Sequence, residues 1–322
     1  MAKYCIGIDL GGTFIKFGVM DADSAGGQPL QLPTPTDRGS AGVIEQIVDG
    51  ARQVMQINGV RGQEVLGVGI GSPGPIDLSE GVILSLPNIP GMESCPLRDA
   101  VGEALELPAV LENDANAAAY GEYIGGAGKE AADMVMLTLG TGVGSGIIIN
   151  GHILHGAHEI GGELGHMIVD PGGEACNCGQ RGCLERYSSA RYLADYARRL
   201  IEQGRPSALQ DVLNEAGQID AADINAHRQQ GDALAAEVWD RAVFYLAIGC
   251  VNICRIFDPD RIVLAGGMTK AGEDLLGPLE AHFQRNHWSL SGIRTELALA
   301  EIGSDAGVLG AAGVAWSAFG GH

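Results

Sequence analysis

The sequence is poor in basic residues: 20 Lys and Arg stand against 40 Asp and Glu, which gives a formal net charge of −20. Proteins that bind nucleic acid contact its phosphates with clustered Lys and Arg, so this balance argues against a nucleic-acid partner. No apolar stretch approaches the roughly 20 residues that span a membrane. No charged leader with a cleavage site precedes the first apolar run. We therefore expect a cytoplasmic protein with no membrane partner.

The cysteines lack the even number that is typical of a secreted disulfide framework. Three of the seven crowd into eight positions, Cys176 to Cys183, and His166 lies ten residues before them. Three thiolates and one imidazole fill the four positions of a closed tetrahedral zinc site. The segment therefore predicts a structural zinc bound by His166, Cys176, Cys178 and Cys183. A disulfide and a reactive thiol pair are the alternatives.

Strand-like and helix-like runs alternate along the chain, which is typical of an α/β protein. Glycine is abundant, at 50 of 322 residues, and it concentrates at the ends of apolar runs, where tight turns and ligand contacts need a residue without a Cβ. The predicted strands are Tyr4–Asp9, Ile15–Met20, Val65–Gly71, Val110–Glu112, Met134–Leu139, Gly146–Asn150 and Arg261–Ala265. The predicted helices are Gly42–Gln56, Leu97–Leu105, a segment after Asp114, Ser188–Gln203 with Ser188 as its N-cap, Asp232–Phe257 and Ala306–Trp316.

An internal repeat relates the two halves of the chain. Ile6–Met20 (IGIDLGGTFIKFGVM) and Met136–Ile149 (MLTLGTGVGSGIII) both read as a strand, a glycine-rich turn containing Thr, and a second strand. The repeat indicates paired domains that face a shared ligand. A chance similarity between two glycine-rich hairpins is the alternative.

Three glycine turns have the composition of a nucleotide site. In the first, exposed backbone N–H groups can hold phosphate oxygens while Asp9 holds the accompanying Mg²⁺; an ordinary hairpin with an Asp-capped turn is the alternative. The second turn would enclose the phosphates from the opposite side. The third would let adenine or ribose approach the backbone, although a plain turn or helix C-cap also explains it. The candidate nucleotide-binding residues are Asp9, Gly11, Gly12, Thr13, Lys16, Thr138, Gly140, Thr141, Gly142, Gly266 and Gly267.

The order of these turns resembles the superfamily of sugar kinases, chaperones and actin. More specifically, E-L-G-H at Glu163–His166 and C-N-C-G-Q-R-G-C-L-E at Cys176–Glu185 are similar to the signature of the ROK family (repressors, open reading frames and kinases). The resemblance covers essentially the whole chain. It implies two RNase-H-like α/β domains that close on ATP in the cleft between them.

The resemblance also implies the domain limits. Residues 1–114 would form a smaller N-terminal domain, completed by a C-terminal helix within 306–322. Residues 115–305 would form a larger domain that carries the zinc-binding loop 163–185. Family members are commonly dimers or tetramers, so we expect a homo-oligomer.

The implied activity is ATP-dependent phosphorylation of a hexose, with glucose phosphorylated at its 6-hydroxyl. Asp114 follows a strand and begins a helix, whose N-terminus stabilises an anion, so it suits the base that accepts the proton of the sugar hydroxyl. A helix N-cap is the alternative role. His166 would bind zinc through one ring nitrogen and sugar through the other, whereas His155 and His158 are interpreted as loop residues. The implied substrate contacts are Gly74, Asn88, Asn113, Asp114, Glu163, His166 and Glu185.

Several alternatives remain at this stage. Glucokinases of the family often carry an aromatic residue shortly after the position of Asn88, where this chain runs from Ile89 to Met92. N-acetylglucosamine, N-acetylmannosamine, mannose or fructose therefore stay open as substrates, and polyphosphate as donor. A sugar-sensing repressor is disfavoured because the first turn begins at Asp9, which leaves no room for a winged helix. An actin- or chaperone-like ATPase with a protein partner is disfavoured by the zinc and sugar residues.

Overall fold

The computed structural model describes residues 4–86, 89–288 and 292–320. The strands are β1 Tyr4–Leu10, β2 Phe14–Asp21, β3 Leu30–Pro33, β4 Val65–Ser72, β5 Ile76–Asp77, β6 Val82–Ile83, β7 Ala109–Asn113, β8 Met134–Leu139, β9 Val143–Ile149, β10 His152–Ile153, β11 Arg261–Ala265 and β12 Glu296–Leu299. The helices are α1 Gly39–Ile57, α2 Leu97–Leu105, α3 Asp114–Gly125, α4 Glu185–Ser188, α5 Ala190–Glu202, α6 Leu209–Ala216, α7 Ala221–Gln229, α8 Ala233–Phe257, α9 Glu273–Asn286 and α10 Ala306–Phe319.

Two five-stranded sheets share one topology. Their strand orders are β3-β2-β1-β4-β7 and β10-β9-β8-β11-β12. In the first sheet β1 pairs antiparallel with β2 and parallel with β4; in the second β8 pairs antiparallel with β9 and parallel with β11. The repeat predicted from the sequence therefore corresponds to two equivalent hairpins, and the expected α/β fold is confirmed.

Because successive side chains of a strand point to opposite faces of its sheet, the central strands contribute to a separate core on each face. In β1, Ile6 and Ile8 face a core built with α1 and α2, whereas Cys5 faces α10. In β8, Val135 faces a core built with α5, α8 and α9, whereas Met134 belongs to a cluster with α3. Helices α3 and α10 pack against each other, so this helix pair forms the layer between the two sheets.

Glycines allow α10 to lie directly on the first sheet. A Cβ at Gly7 would fall on the carbonyl oxygen of Val308, and one at Gly69 on that of Ala311. On the other side of α10, a Cβ at Gly310 would fall on the carbonyl oxygen of Ala117 in α3. The glycine content therefore serves close backbone packing as well as the turns that the sequence analysis emphasised.

The predicted helix Ser188–Gln203 begins later than expected. Ser189, not Ser188, is the N-cap of α5, and its hydroxyl accepts a hydrogen bond from the backbone N–H of Tyr192 (3.4 Å). Ser188 ends the short helix α4 and donates its hydroxyl to the carbonyl of Ala242 (2.9 Å). The N-cap prediction for Ser188 was wrong because two adjacent serines satisfy the same sequence pattern.

The longest helix, α8, begins after Asp232, whose carboxylate accepts the N–H of Ala235 (2.9 Å). Across the three described ranges, no helix combines the length and the apolarity that crossing a bilayer requires.

Candidate active site

Asp114 is the first residue of α3, directly after the end of β7. Asn113 is the N-cap: its side-chain oxygen accepts the backbone N–H groups of Ala115 (2.9 Å) and Asn116 (3.3 Å). The Asp114 carboxylate accepts the N–H of Ala115 (2.8 Å). Burial raises the pKa of Asp114, although that backbone hydrogen bond opposes the change. The capping role that the sequence left open for Asp114 thus belongs to Asn113.

Asp9 ends β1 beside the first glycine turn and close to Asp114. Burial, followed by the charge of Asp114, raises its pKa to about 6, and the charge of Lys16 opposes the rise. Lys16 donates to the carbonyl of Ser304, and its ammonium nitrogen lies 3.7 Å from the Asp305 carboxylate. Three carboxylates and one ammonium group therefore meet where β1, α3 and the start of α10 converge.

A cavity of about 380 Å³ opens between the two sheets, and Asn113, which directly precedes Asp114, lies in its wall. Three predicted substrate residues line it: Gly74, Asn113 and Glu163. Asn116 and Ser145 also line it, although the sequence analysis did not single them out. Asp114, His166 and Glu185 are not among its lining residues, and Asn88 lies outside the described residues.

The second glycine turn joins β8 to β9. The N–H of Gly140 donates to the carbonyl of Gly142 (3.0 Å), and the N–H of Val143 donates to the Glu185 carboxylate (3.0 Å). Glu185 begins α4 and directly follows the cysteine-rich segment. Glu185 therefore connects that segment to the second turn, which is a contact that its predicted sugar role did not include.

The third glycine turn follows β11. Gly266 has a φ of 94°, a conformation that favours glycine. Gly267 and Lys270 lie on one wall of a cavity of about 180 Å³, and Asn225 of α7 and Trp239 of α8 lie on another. A flat aromatic base can enter such a cleft between a glycine turn and two helices.

The four predicted zinc ligands converge. Their ligand atoms all lie within 4.8 Å of one another. Nδ1 of His166 lies 3.8 Å from the sulfur of Cys176, and the sulfurs of Cys178 and Cys183 lie 3.6 Å apart. A tetrahedral zinc with sulfur ligands at about 2.3 Å places its ligands about 3.8 Å apart, whereas a disulfide needs about 2.05 Å. The donor set and its spacing fit a metal ion and do not fit a disulfide.

A tight hairpin holds these thiols. Gly179 (φ 92°) and Gly182 (φ 74°) both adopt the left-handed conformation, as the sharp bend expected from the sequence requires. The side-chain amide of Gln180 donates to the sulfur of Cys178 (3.4 Å), and hydrogen bonds from Gln180 are the main reason that the pKa of Cys178 is lowered to about 6. A lowered pKa favours the thiolate, which is the form of cysteine that binds a metal.

The contact between Glu112 and His155 is not predicted by the sequence. Nε2 of His155 lies 2.7 Å from a carboxylate oxygen of Glu112, whose side chain is only 3% exposed. His155 had been interpreted as a loop residue, and Glu112 had no assigned role. Nothing in the local pattern indicates this pair, because 43 residues separate its members.

Comparisons with known proteins identify relatives of the whole chain. The model of the ROK family matches residues 5–317. A glucokinase of Halalkalibacterium halodurans is 36% identical over 309 residues, which cover 96% of this chain and 93% of that protein. The crystal structure of a ROK hexokinase from Thermus thermophilus is 35% identical, with a TM-score of 0.81 and 96% of both chains covered. A ROK family glucokinase from Streptomyces griseus, in complex with glucose and AMPPNP, is 32% identical with a TM-score of 0.77, covering 98% of this chain and 99% of that one.

Proposed function

The chain belongs to the ROK family, and from that membership we propose that it is a glucokinase, which transfers the γ-phosphoryl group of ATP to the 6-hydroxyl of glucose. The glucokinase at 36% identity and the related structure with glucose and AMPPNP support a sugar kinase that uses ATP. The observation that carries the proposal is the placement of Asp114 at the start of α3, released from capping by Asn113.

In the proposed reaction Asp114 accepts the proton of the 6-hydroxyl while that oxygen forms a bond to the γ-phosphorus. The bond from the γ-phosphorus to its bridging oxygen breaks, and ADP leaves. Burial raises the pKa of Asp114, which makes its carboxylate a stronger base toward a hydroxyl. Phosphoryl transfer otherwise needs positioning and charge neutralisation.

The nucleotide would lie along the three glycine turns. We assign the phosphates to the turns after β1 and after β8, and the adenine to the 180 Å³ cavity beside Gly267 and Trp239. Mg²⁺, bound with ATP, would neutralise the phosphate charge, and Asp9 is the carboxylate placed to hold it. Asn113, Glu163 and Gly74, which line the larger cavity, would contact the sugar.

We propose that the cluster of His166, Cys176, Cys178 and Cys183 binds a structural zinc. The spacing of the four ligand atoms supports this assignment. All four tetrahedral positions would be filled by the protein, so the ion would organise the hairpin rather than take part in the reaction. Glu185, which follows the hairpin, would then hold the second phosphate turn through Val143.

The variant Asp114→Asn tests the catalytic role. The amide keeps the shape of the side chain but cannot accept the proton, so we expect kcat to fall by about 10²- to 10⁴-fold, without a loss of thermal stability. A coupled assay of ADP release measures the rate, and Asp211→Asn, at an exposed position on α6, is the matched control. Turnover like that of the wild type in Asp114→Asn would refute the assignment.

The same assay tests the substrate. Wild-type protein is compared on glucose, mannose, fructose, N-acetylglucosamine and N-acetylmannosamine, with ATP and polyphosphate as donors. We expect the highest kcat/KM with glucose and ATP, and phosphorus NMR should place the phosphate on the 6-oxygen. A higher kcat/KM for another hexose would replace glucose as the substrate while leaving the kinase assignment intact.

A further inference from the structure

The pair of Glu112 and His155 connects the two sheets. Glu112 lies in β7 of the first sheet, and His155 follows β10 of the second. One Glu112 oxygen accepts the backbone N–H of Asn113 (2.9 Å) and the side-chain amide of Asn116 (3.0 Å). The other oxygen lies 2.7 Å from Nε2 of His155. A buried carboxylate is thus fully satisfied only when His155 is in place.

Both members of the pair are joined to the wall of the larger cavity. Glu112 directly precedes Asn113 and contacts Asn116, and both of these residues line the cavity. His155 begins the segment 155–163, whose last five residues, 159–163, also line it. The backbone carbonyl of His155 accepts the N–H of Gly161 (2.8 Å), which closes this segment into a loop.

A second contact fixes the far side of the same loop. The carboxylate of Glu159 accepts the backbone N–H of Leu78 (2.8 Å), and both residues line the cavity. The loop 155–163 is therefore attached to the elements around the first sheet at two points: at His155, whose partner Glu112 is buried, and at the exposed Glu159. The width of the cavity depends on both attachments.

We propose that His155 is a positioning residue for the sugar: through Glu112 it holds the loop 155–163 against the strand end that carries Asn113 and Asp114. Without this contact, Glu163 and Asn113 would each keep their local structure, but the distance between them would vary. Sugar affinity, rather than the rate of phosphoryl transfer from bound sugar, would then suffer. The identity of the ligand as a sugar rests on the proposed function; the attachment of the loop does not.

Protonation strengthens the contact. The hydrogen bond to Glu112 is the main cause that raises the pKa of His155 above its usual 6.5, burial opposes the rise, and Glu159 contributes a second negative charge. His152 and Tyr120 border the same groove as the pair. A charge-assisted hydrogen bond is roughly twice as strong as a neutral one. Because the folded pKa is raised, the contact is strongest at low pH and weakens as the pH rises through that pKa.

The test compares His155→Gln with His152→Gln. The glutamine introduced in His155→Gln retains a hydrogen-bond donor but cannot carry a charge, and His152 is an exposed histidine three residues away, which makes it the matched control. At about pH 6, where histidine is substantially protonated, we expect His155→Gln to raise the KM for glucose by about five- to tenfold. The kcat and the KM for ATP should change by less than about twofold, and His152→Gln should match the wild type.

The pH profile separates positioning from simple structural support. In the wild type the KM for glucose should rise between about pH 6 and pH 9 as His155 loses its proton, and in His155→Gln this rise should be absent. In a double-mutant cycle, adding Glu112→Gln to His155→Gln should raise KM by less than the two single effects combined. An unchanged KM in His155→Gln, an equal effect in His152→Gln, or a pH dependence that persists in His155→Gln would each overturn the proposal.

A second measurement needs no catalysis. Hydrogen-exchange protection factors of residues 155–163 should fall from about pH 6 to pH 9 in the wild type but not in His155→Gln. If the wild type phosphorylated no sugar, the proposed function would fail, and this measurement would still decide the role of the pair. Equal protection in the wild type and His155→Gln at both pH values would refute the attachment of the loop.

Discussion

At the scale of single residues, Asp9 shows that the fold places a carboxylate where its charged form is unfavourable. Its carboxylate is largely enclosed, lies near the charge of Asp114, and packs against Gly307 in the first turn of α10, where an added Cβ would lie only 2.9 Å from a carboxylate oxygen. These surroundings raise its pKa to about 6 from 3.8. A group with a raised acidic pKa binds its proton more tightly in the folded state, so the free energy of unfolding decreases as the pH rises from about 4 to about 6.

The variant Asp9→Asn should therefore stabilise the protein while inactivating it. At neutral pH without nucleotide or Mg²⁺, we expect a higher Tm than in the wild type, with a gain in unfolding free energy of at most about 3 kcal/mol. Near pH 4 the difference should vanish, because Asp9 is then protonated in the folded wild type. Calorimetry at neutral pH and near pH 4 measures the two differences in Tm, with Asp211→Asn as the exposed control. A lower Tm for Asp9→Asn at neutral pH would contradict this account.

Prediction from sequence reached the residue types of the site but not their surroundings. The motifs around Asp9, Asp114 and the cysteine cluster were visible because glycine turns and ligand spacing are local patterns. The division of labour between Asn113 and Asp114 was not visible, since both are acceptable N-caps and only the backbone geometry decides between them. The partner of Glu112 was invisible because burial and long-range pairing leave no local mark.

At the scale of elements, the packing of α10 between α3 and the first sheet is the most demanding contact. Gly310 of α10 lies so close to α3 that a Cβ would overlap the carbonyl oxygen of Ala117. Gly121 of α3 makes the reciprocal approach to the carbonyl of Ala306. The start of α10 also depends on α3, because the buried Glu122 carboxylate accepts the N–H groups of Ile302 (2.8 Å) and Gly303 (3.3 Å).

Gly310→Ala should destabilise the protein, although alanine is the better helix former. Propensity alone favours the substitution by about 1 kcal/mol, but the added methyl group forces α10 away from α3, and overpacking of a dense contact typically costs about 1–3 kcal/mol. We expect a lower midpoint in urea unfolding. Gly62→Ala, where the added carbon meets open space, is the control and should leave the midpoint nearly unchanged. An equal or higher midpoint for Gly310→Ala would show that α10 can move away from α3 without a loss of stability.

Helices and strands were predicted correctly where the hydrophobic pattern was clear or where strong turn signals bounded the element. Leu97–Leu105, Met134–Leu139 and Arg261–Ala265 agree with the structure at both ends. The edge strands β3 and β12 were missed because each has only four residues, too few for an alternation to stand out. Helices α6, α7 and α9 were missed as well; they are short or mostly polar. Helices α7 and α9 pack on α8, and α6 packs on α7.

At the scale of the whole molecule, the cysteine hairpin links distant parts of the site. It lies beside the second sheet, contains three of the four clustered ligands, and is followed by Glu185, which holds the turn between β8 and β9. His166 follows directly on the loop that includes Glu163. A metal ion at this point would therefore fix the sugar side of the site before it affected the turn after β1.

Removal of the metal should weaken sugar binding first. We expect about one zinc per chain by elemental analysis and, after chelation, a larger loss of affinity for glucose than for ATP, because three thiols without a metal no longer fix the hairpin. Titration calorimetry on the purified, chelated and zinc-reloaded protein measures both affinities, and reloading is the control. Full glucose affinity in the metal-free protein would break the proposed link between the hairpin and the sugar.

The position of α10 has a further consequence, for the order in which the protein can be made. Its packing partner β1 is the first of the described strands, and 295 residues separate Leu10 from Ala306. At about 5–20 residues per second, a ribosome needs roughly 15–60 s to cover that distance. During this interval the glycine-lined face of the first sheet lacks its covering helix. The N-terminal part of the fold is therefore completed only after α10 has been synthesised.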